Sequence, residues 1–110
     1  MGTLVDEIIG PMTMDYGNLK AGRLEATHAI KILIILYFEG KMIKGVLASY
    51  VAKGTVSVQS RVDELLQLDL VTEEQEQQRP FRKFIELTPK GRAVAEHLAA
   101  IEELLQGEGR

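Results

Sequence analysis

The apolar residues of this chain change their spacing twice, and those two switches leave few ways to fold it. In TVSVQSRVDELLQLDLV, residues 55 to 71, Val58, Val62, Leu65 and Leu66 keep the three-and-four spacing of a helix face. The alternation of Val56 and Val58 is too short to compete, so a helix is expected to start near Thr55 or Ser57. Past Leu70 and Val71 the pattern becomes VTEEQEQQRPFRKFIELT, where Pro80 forbids a continuous helix. Phe84, Ile85 and Leu87, with Glu86 between them, read as a strand. Two strands joined by a loop around Gln78 to Arg82 fit this stretch. Thr88-Pro89 restores the helix, a hydroxyl cap followed by proline at a position whose N–H has no helical partner to lose. That last helix runs to about Leu105, and QGEGR frays.

Upstream, the residues from Arg23 to about Glu39 favour a helix whose second half is apolar on nearly every face, which predicts burial all round. Gly40 stops it. KMIK is a minimal strand, and GVLASYVAKG a short helix that stops at Gly54. Residues 3 to 9, TLVDEII, carry Leu4, Val5, Ile8 and Ile9 in a short amphipathic pattern that suits a helix or, alternatively, a strand, closed by Gly10 and Pro11. MTMDYGNLKAG has no clear period and reads as a linking segment whose Met12, Met14 and Tyr16 need apolar cover.

At 110 residues the chain is one domain's worth, and 45% hydrophobic with 26% charged residues is ordinary for a folded protein. With Cys at 0 there is no disulfide framework, no thiolate nucleophile and no cysteine zinc site, so a reducing, cytoplasmic location is expected. The longest apolar run, IKILIILYF, is interrupted by Lys31 and falls short of the roughly 20 residues a spanning helix requires, so no membrane partner is expected. The N-terminus carries Asp6 and Glu7 without a basic lead, unlike a signal peptide.

Helix, minimal strand, helix, turn, helix, hairpin, helix is the order of a winged helix-turn-helix domain. The phrase SRVDELLQLDLV resembles the recognition helix of MarR- and ArsR-like regulators of small prokaryotic or archaeal type, with its leucine pair, tight turn and Leu-Val entering the wing. LTPKGRAVAEHL resembles the phrase that leaves the wing in those families. The similarity runs from about Leu24 to Leu105, with one departure: Asp69 stands where these families usually have glycine. It implies a mainly α (α+β) fold, a three-helix core with a two-stranded wing and a long C-terminal helix. Residues 1–22 then form an N-terminal extension, 23–87 the winged helix-turn-helix domain and 88–110 a C-terminal dimerisation helix. The function implied is sequence-specific binding of double-stranded DNA by a homodimeric transcriptional regulator. The alternative is a winged helix that docks other proteins without touching DNA.

Carried over residue by residue, the resemblance points to Thr55, Ser57, Gln59, Ser60 and Arg61 on the recognition helix and to Arg79, Arg82 and Lys83 on the wing. The chemistry of these side chains agrees in part. Arg61 can fork onto a guanine edge or a phosphate, Gln59 can pair with adenine, and small hydroxyls allow close approach. Against this, small polar residues also simply begin helices well, and Arg61 can be a solvated charge. The formal net charge is -3, and Glu73, Glu74 and Glu76 precede the basic Arg79, Arg82, Lys83, Lys90 and Arg92. Those acids either lie away from DNA or weaken its binding.

Val94, Leu98, Ile101 and Leu105 recur at intervals of four, three and four, the seam of a coiled coil. With Leu4, Ile8 and Ile9 also needing cover, a homodimer through both termini is expected. His28 and His97 have no cysteines or paired carboxylates at ligand spacing, so no metal or cofactor is expected. Ser49 and Ser57 lack an adjacent base, and Gly40, Gly45 and Gly54 punctuate helices without forming a phosphate loop, so no catalytic residues are assigned and no enzyme is expected.

Overall fold

The computed structural model describes residues 16–51 and 56–107. Leu4, Ile8, Ile9, Thr55 and the turn expected at Lys53-Gly54 lie outside the described residues. A 3-10 turn at Tyr16–Asn18 and a 3-10 helix at Lys20–Glu25 lead into α1 (Ala29–Glu39), β1 (Met42–Ile43), α2 (Lys44–Val51), α3 (Val56–Gln67), β2 (Val71–Gln75), β3 (Lys83–Leu87) and α4 (Pro89–Gly107). The strands form one antiparallel sheet in the order β1-β3-β2, so the wing hairpin carries β1 as a third strand. Met42 pairs with Ile85, and Val71 with Leu87.

The expected helix from Arg23 does not run unbroken. Ala26 is extended (φ -61°, ψ 148°) and His28 is left-handed (φ 71°), which separates the 3-10 helix from α1. The bend lets Leu24 fold back against the core. In a straight helix Leu24 would sit about 12 Å along the axis from Ile32. Nor is α1 buried all round: Ile32, Leu33 and Leu36 are, while Ile30 and Phe38 are 42% and 66% exposed.

The core joins Ile32, Leu33 and Leu36 of α1 to Leu47, Ala48 and Val51 of α2, Val58, Val62 and Leu65 of α3, and Val71, Ile85 and Leu87 of the sheet. Burying one such side chain contributes about 1.5–3 kcal/mol. The apolar period of each short segment therefore selects which face turns inward.

The two phrases that carry the family resemblance meet in space. After α3 the chain turns through Asp69, whose φ of 63° places it in the left-handed region where glycine is usual and aspartate is tolerated. The turn closes with Leu70 N–H donating to the Leu65 carbonyl at 3.0 Å. Thr88 then locks α4 onto that turn. Its N–H donates to the Leu70 carbonyl (3.0 Å), its hydroxyl donates to the Asp69 carbonyl (2.7 Å), and the same hydroxyl oxygen caps Gly91 N–H (2.8 Å). Gly91 is required by this approach, because a Cβ there would lie 1.8 Å from the Leu70 carbonyl oxygen.

The 19 residues of α4 bury only Gly91 and Ala95. Val94 and Leu98, the first half of the seam expected between two copies, pack partly against this domain's own core. Ile101, Leu104 and Leu105 stand clear of it, 51%, 64% and 70% exposed.

Candidate nucleic-acid interface

On a helix of 3.6 residues per turn, burial of Val58, Val62 and Leu65 fixes where the polar residues of α3 point. Ser60 falls opposite the buried stripe and is exposed. Gln59 and Asp63 share one flank, Arg61 and Glu64 the other. Ser57 lies in the first turn of α3.

The Gln59 flank is tied to the wing. Lys44, the first residue of α2, donates to the Gln59 side-chain oxygen and, at 2.9 Å, to Glu73 of β2. The Gln59 amide nitrogen donates to Asp63 at 2.8 Å, so both ends of the amide are held. Glu73 also takes Lys83 of β3 at 3.8 Å. One polar network thus runs from α3 through Lys44 to both strands of the wing.

Arg61 is less free than the sequence implied. Its Nη1 pairs with Glu64 at 2.9 Å and its side chain is only 20% exposed. Its Nε is buried without a hydrogen-bond partner among the described residues.

Two of the three wing cations, Arg82 and Lys83, are paired in turn. Arg82 Nη2 meets Glu76 Oε2 at 2.7 Å and Arg82 Nε meets Oε1 at 3.1 Å, a bidentate fork, while the Arg82 backbone N–H donates to the same Oε1 at 3.2 Å. Side-chain hydrogen bonding from Arg82, then its backbone hydrogen bond, holds the Glu76 carboxyl below the usual carboxylate value, and the same side-chain bond raises Arg82. Lys41 approaches Glu74 at 3.8 Å. Lys41 and Arg82 also lie over the Phe84 ring, 5.3 and 5.7 Å from its centroid. Arg79, in the hairpin loop beside a cis Arg79-Pro80 peptide, is exposed and has no ion pair among the described residues.

The acids of VTEEQE thus neither turn away from the basic residues nor stand alone; they pair with them. Lys41 and Lys44 were not singled out from the sequence. A lysine beside a two-residue strand gives no local sign of partners on other elements.

Among the described residues no helix is long and apolar enough to cross a membrane. No family model matches the chain, and no curated protein matches it in sequence. Solved structures do. A transcriptional regulator homologue from Pyrococcus horikoshii is 18% identical with a TM-score of 0.68, over 80% of this chain and 89% of that one. AF1382 from Archaeoglobus fulgidus is 26% identical with a TM-score of 0.63, over 70% and 86%. A MarR family transcriptional regulator from Silicibacter pomeroyi is 18% identical with a TM-score of 0.68, over 80% of this chain and 58% of its own length. Together with the hairpin packed between α3 and α4, these likenesses establish the fold of this chain as a winged helix-turn-helix like that of the MarR regulators.

Proposed function

We propose that the chain is a sequence-specific double-stranded DNA-binding protein that acts as a homodimeric transcriptional regulator. The observation that carries this reading is the network Gln59–Lys44–Glu73–Lys83, which joins recognition helix and wing into one continuous polar surface beside the exposed Ser60. Solved structures of like fold from transcriptional regulators support it. In this reading Thr55, Ser57, Gln59, Ser60 and Arg61 face the major groove, and Arg79, Arg82 and Lys83 follow the backbone. Dimerisation uses the free end of α4, where Ile101, Leu104 and Leu105 are exposed. Leu4, Ile8 and Ile9 complete that contact.

The pairing of wing cations with carboxylates of the chain itself favours a second reading, a winged helix that docks proteins. Salt separates the two. Phosphate contacts release counterions and give binding a steep salt dependence. The test is selection of bound duplexes from a random pool, followed by fluorescence anisotropy on the enriched site. Arg61→Ala should lose about 1–3 kcal/mol there and relax preference at one base position. Arg79→Ala should weaken all sequences alike and lower the salt slope by about 0.9. Absence of salt-dependent binding to any duplex would give the docking reading the lead.

A further inference from the structure

We propose that Glu73 and Glu76 occupy the places of DNA phosphates on the wing and hold its cations until a duplex displaces them, an inference that rests on the DNA-binding reading above. The geometry at Glu76 is that of an arginine on a phosphate. Two oxygens meet Arg82 Nη2 and Nε at 2.7 and 3.1 Å, the paired-donor arrangement by which arginine grips either anion. Glu73 does the same for lysine, taking Lys44 at 2.9 Å and Lys83 at 3.8 Å. The Arg82 side chain remains 48% exposed and that of Lys83 46%, so each of these two cations is both neutralised and within reach of an incoming polyanion. Pairs with so exposed a cation are held weakly enough to exchange, while Lys44–Glu73, with side chains 21% and 20% exposed, is the more enclosed of the three.

The consequence lies in counterions. A cation already neutralised by a carboxylate gives up no bound anion of its own to solution when a duplex arrives, and its displaced carboxylate must recruit a cation back. Binding is therefore weaker at every sequence and less steep in salt than the number of wing cations implies. Arg79, which has no ion pair among the described residues, makes the first backbone contact. Arg82, Lys83 and Lys44 follow only as their carboxylates let go.

The test measures anisotropy on a mixed-sequence duplex across a salt series for wild type, Glu76→Gln, Glu73→Gln and Glu86→Gln. The amide of Glu76→Gln keeps an oxygen to accept the Arg82 backbone N–H, so the hairpin turn is retained. Glu86 is exposed on β3, has no ion pair among the described residues, and controls for the change in net charge alone. Glu76→Gln and Glu73→Gln are each expected to tighten binding about three- to tenfold near 0.1 M salt, with a slope steeper by about 0.9 for each cation released, while Glu86→Gln changes binding less than about twofold at constant slope. Unchanged slopes in a wild type that binds DNA would sink this inference and leave the DNA-binding reading standing. So would an equal effect from Glu86→Gln, which would make net charge the cause, or weaker binding in Glu76→Gln, which would make the pair a brace for the hairpin. If neither wild type nor any variant binds any duplex at low salt, the DNA-binding reading fails and takes the inference with it.

Discussion

Replacing Gly91 by alanine tests whether the junction between α4 and the turn that follows α3 depends on backbone contact. The added Cβ would lie 1.8 Å from the Leu70 carbonyl oxygen, 2.7 Å from its carbon and 3.1 Å from its Cα. These are backbone atoms and cannot rotate away, so the start of α4 must retreat by more than about 1 Å. Overpacking of this kind typically costs about 1–3 kcal/mol. The retreat also stretches the 3.0 Å bond from Thr88 N–H to the Leu70 carbonyl and the 2.7 Å bond from the Thr88 hydroxyl to the Asp69 carbonyl. A buried acceptor left without its donor costs about 1–3 kcal/mol more. Alanine's better helix propensity returns about 0.5–1 kcal/mol. The net expectation is a loss of about 1–5 kcal/mol, or roughly 5–35 °C in melting temperature. Urea denaturation followed by helical circular dichroism, at one fixed protein concentration so that any self-association contributes equally, measures it. A Gly91→Ala protein within about 0.5 kcal/mol of wild type would refute the close approach and the need for glycine at this position.

Gly45 supplies the contrast. It also lies in a helix, but beyond its own helix backbone and chain neighbours no heavy atom of the described residues stands within 4 Å of the place its Cβ would take, so Gly45→Ala should be neutral or stabilise by up to about 0.5–1 kcal/mol, and a loss in the same urea assay would contradict the packing described. Ile101→Glu with Leu105→Glu should yield a folded monomer by sedimentation, because both side chains are more than half exposed; an unchanged dimer would place the interface elsewhere. Leu98→Glu should instead lower stability, since Leu98 packs against the core of its own domain. The lowered Glu76 carboxyl implies that its pairing is complete above the ordinary carboxylate range and is lost as pH falls through the lowered value, with Arg82 protonated throughout. Carboxyl titration by NMR should show the Glu76 midpoint rise in Arg82→Ala; no movement would mean that the fork does not persist in solution.

What the sequence by itself determined is local. The start of α3 at Val56, the hairpin on either side of Pro80 and the start of α4 at Pro89 follow from apolar period, a proline that cannot continue a helix, and a hydroxyl cap. Each signal acts within a few residues of itself, so a linear reading finds it. The bend at Ala26–His28 escaped because it serves Leu24, whose burial depends on elements later in the chain. The spacing of Val94, Leu98, Ile101 and Leu105 is the same whether the opposing surface is another copy or the same domain, and only the fold sends Leu98 inward while leaving Ile101 exposed. The candidate interface shows the same division. Residue types on α3 and the wing were legible, but their partners were not: Lys44 reaches Gln59 across 15 residues and Glu73 across 29, and nothing in the spacing of charges along a chain says which of them folding will bring within hydrogen-bond distance. Tertiary structure decided which carboxylate meets which cation, because ion pairing depends on distance in space: the register of β2 against β3 sets Glu76 beside Arg82 and Glu73 near Lys83, and the packing of α2 beside the sheet brings Lys44 to Glu73.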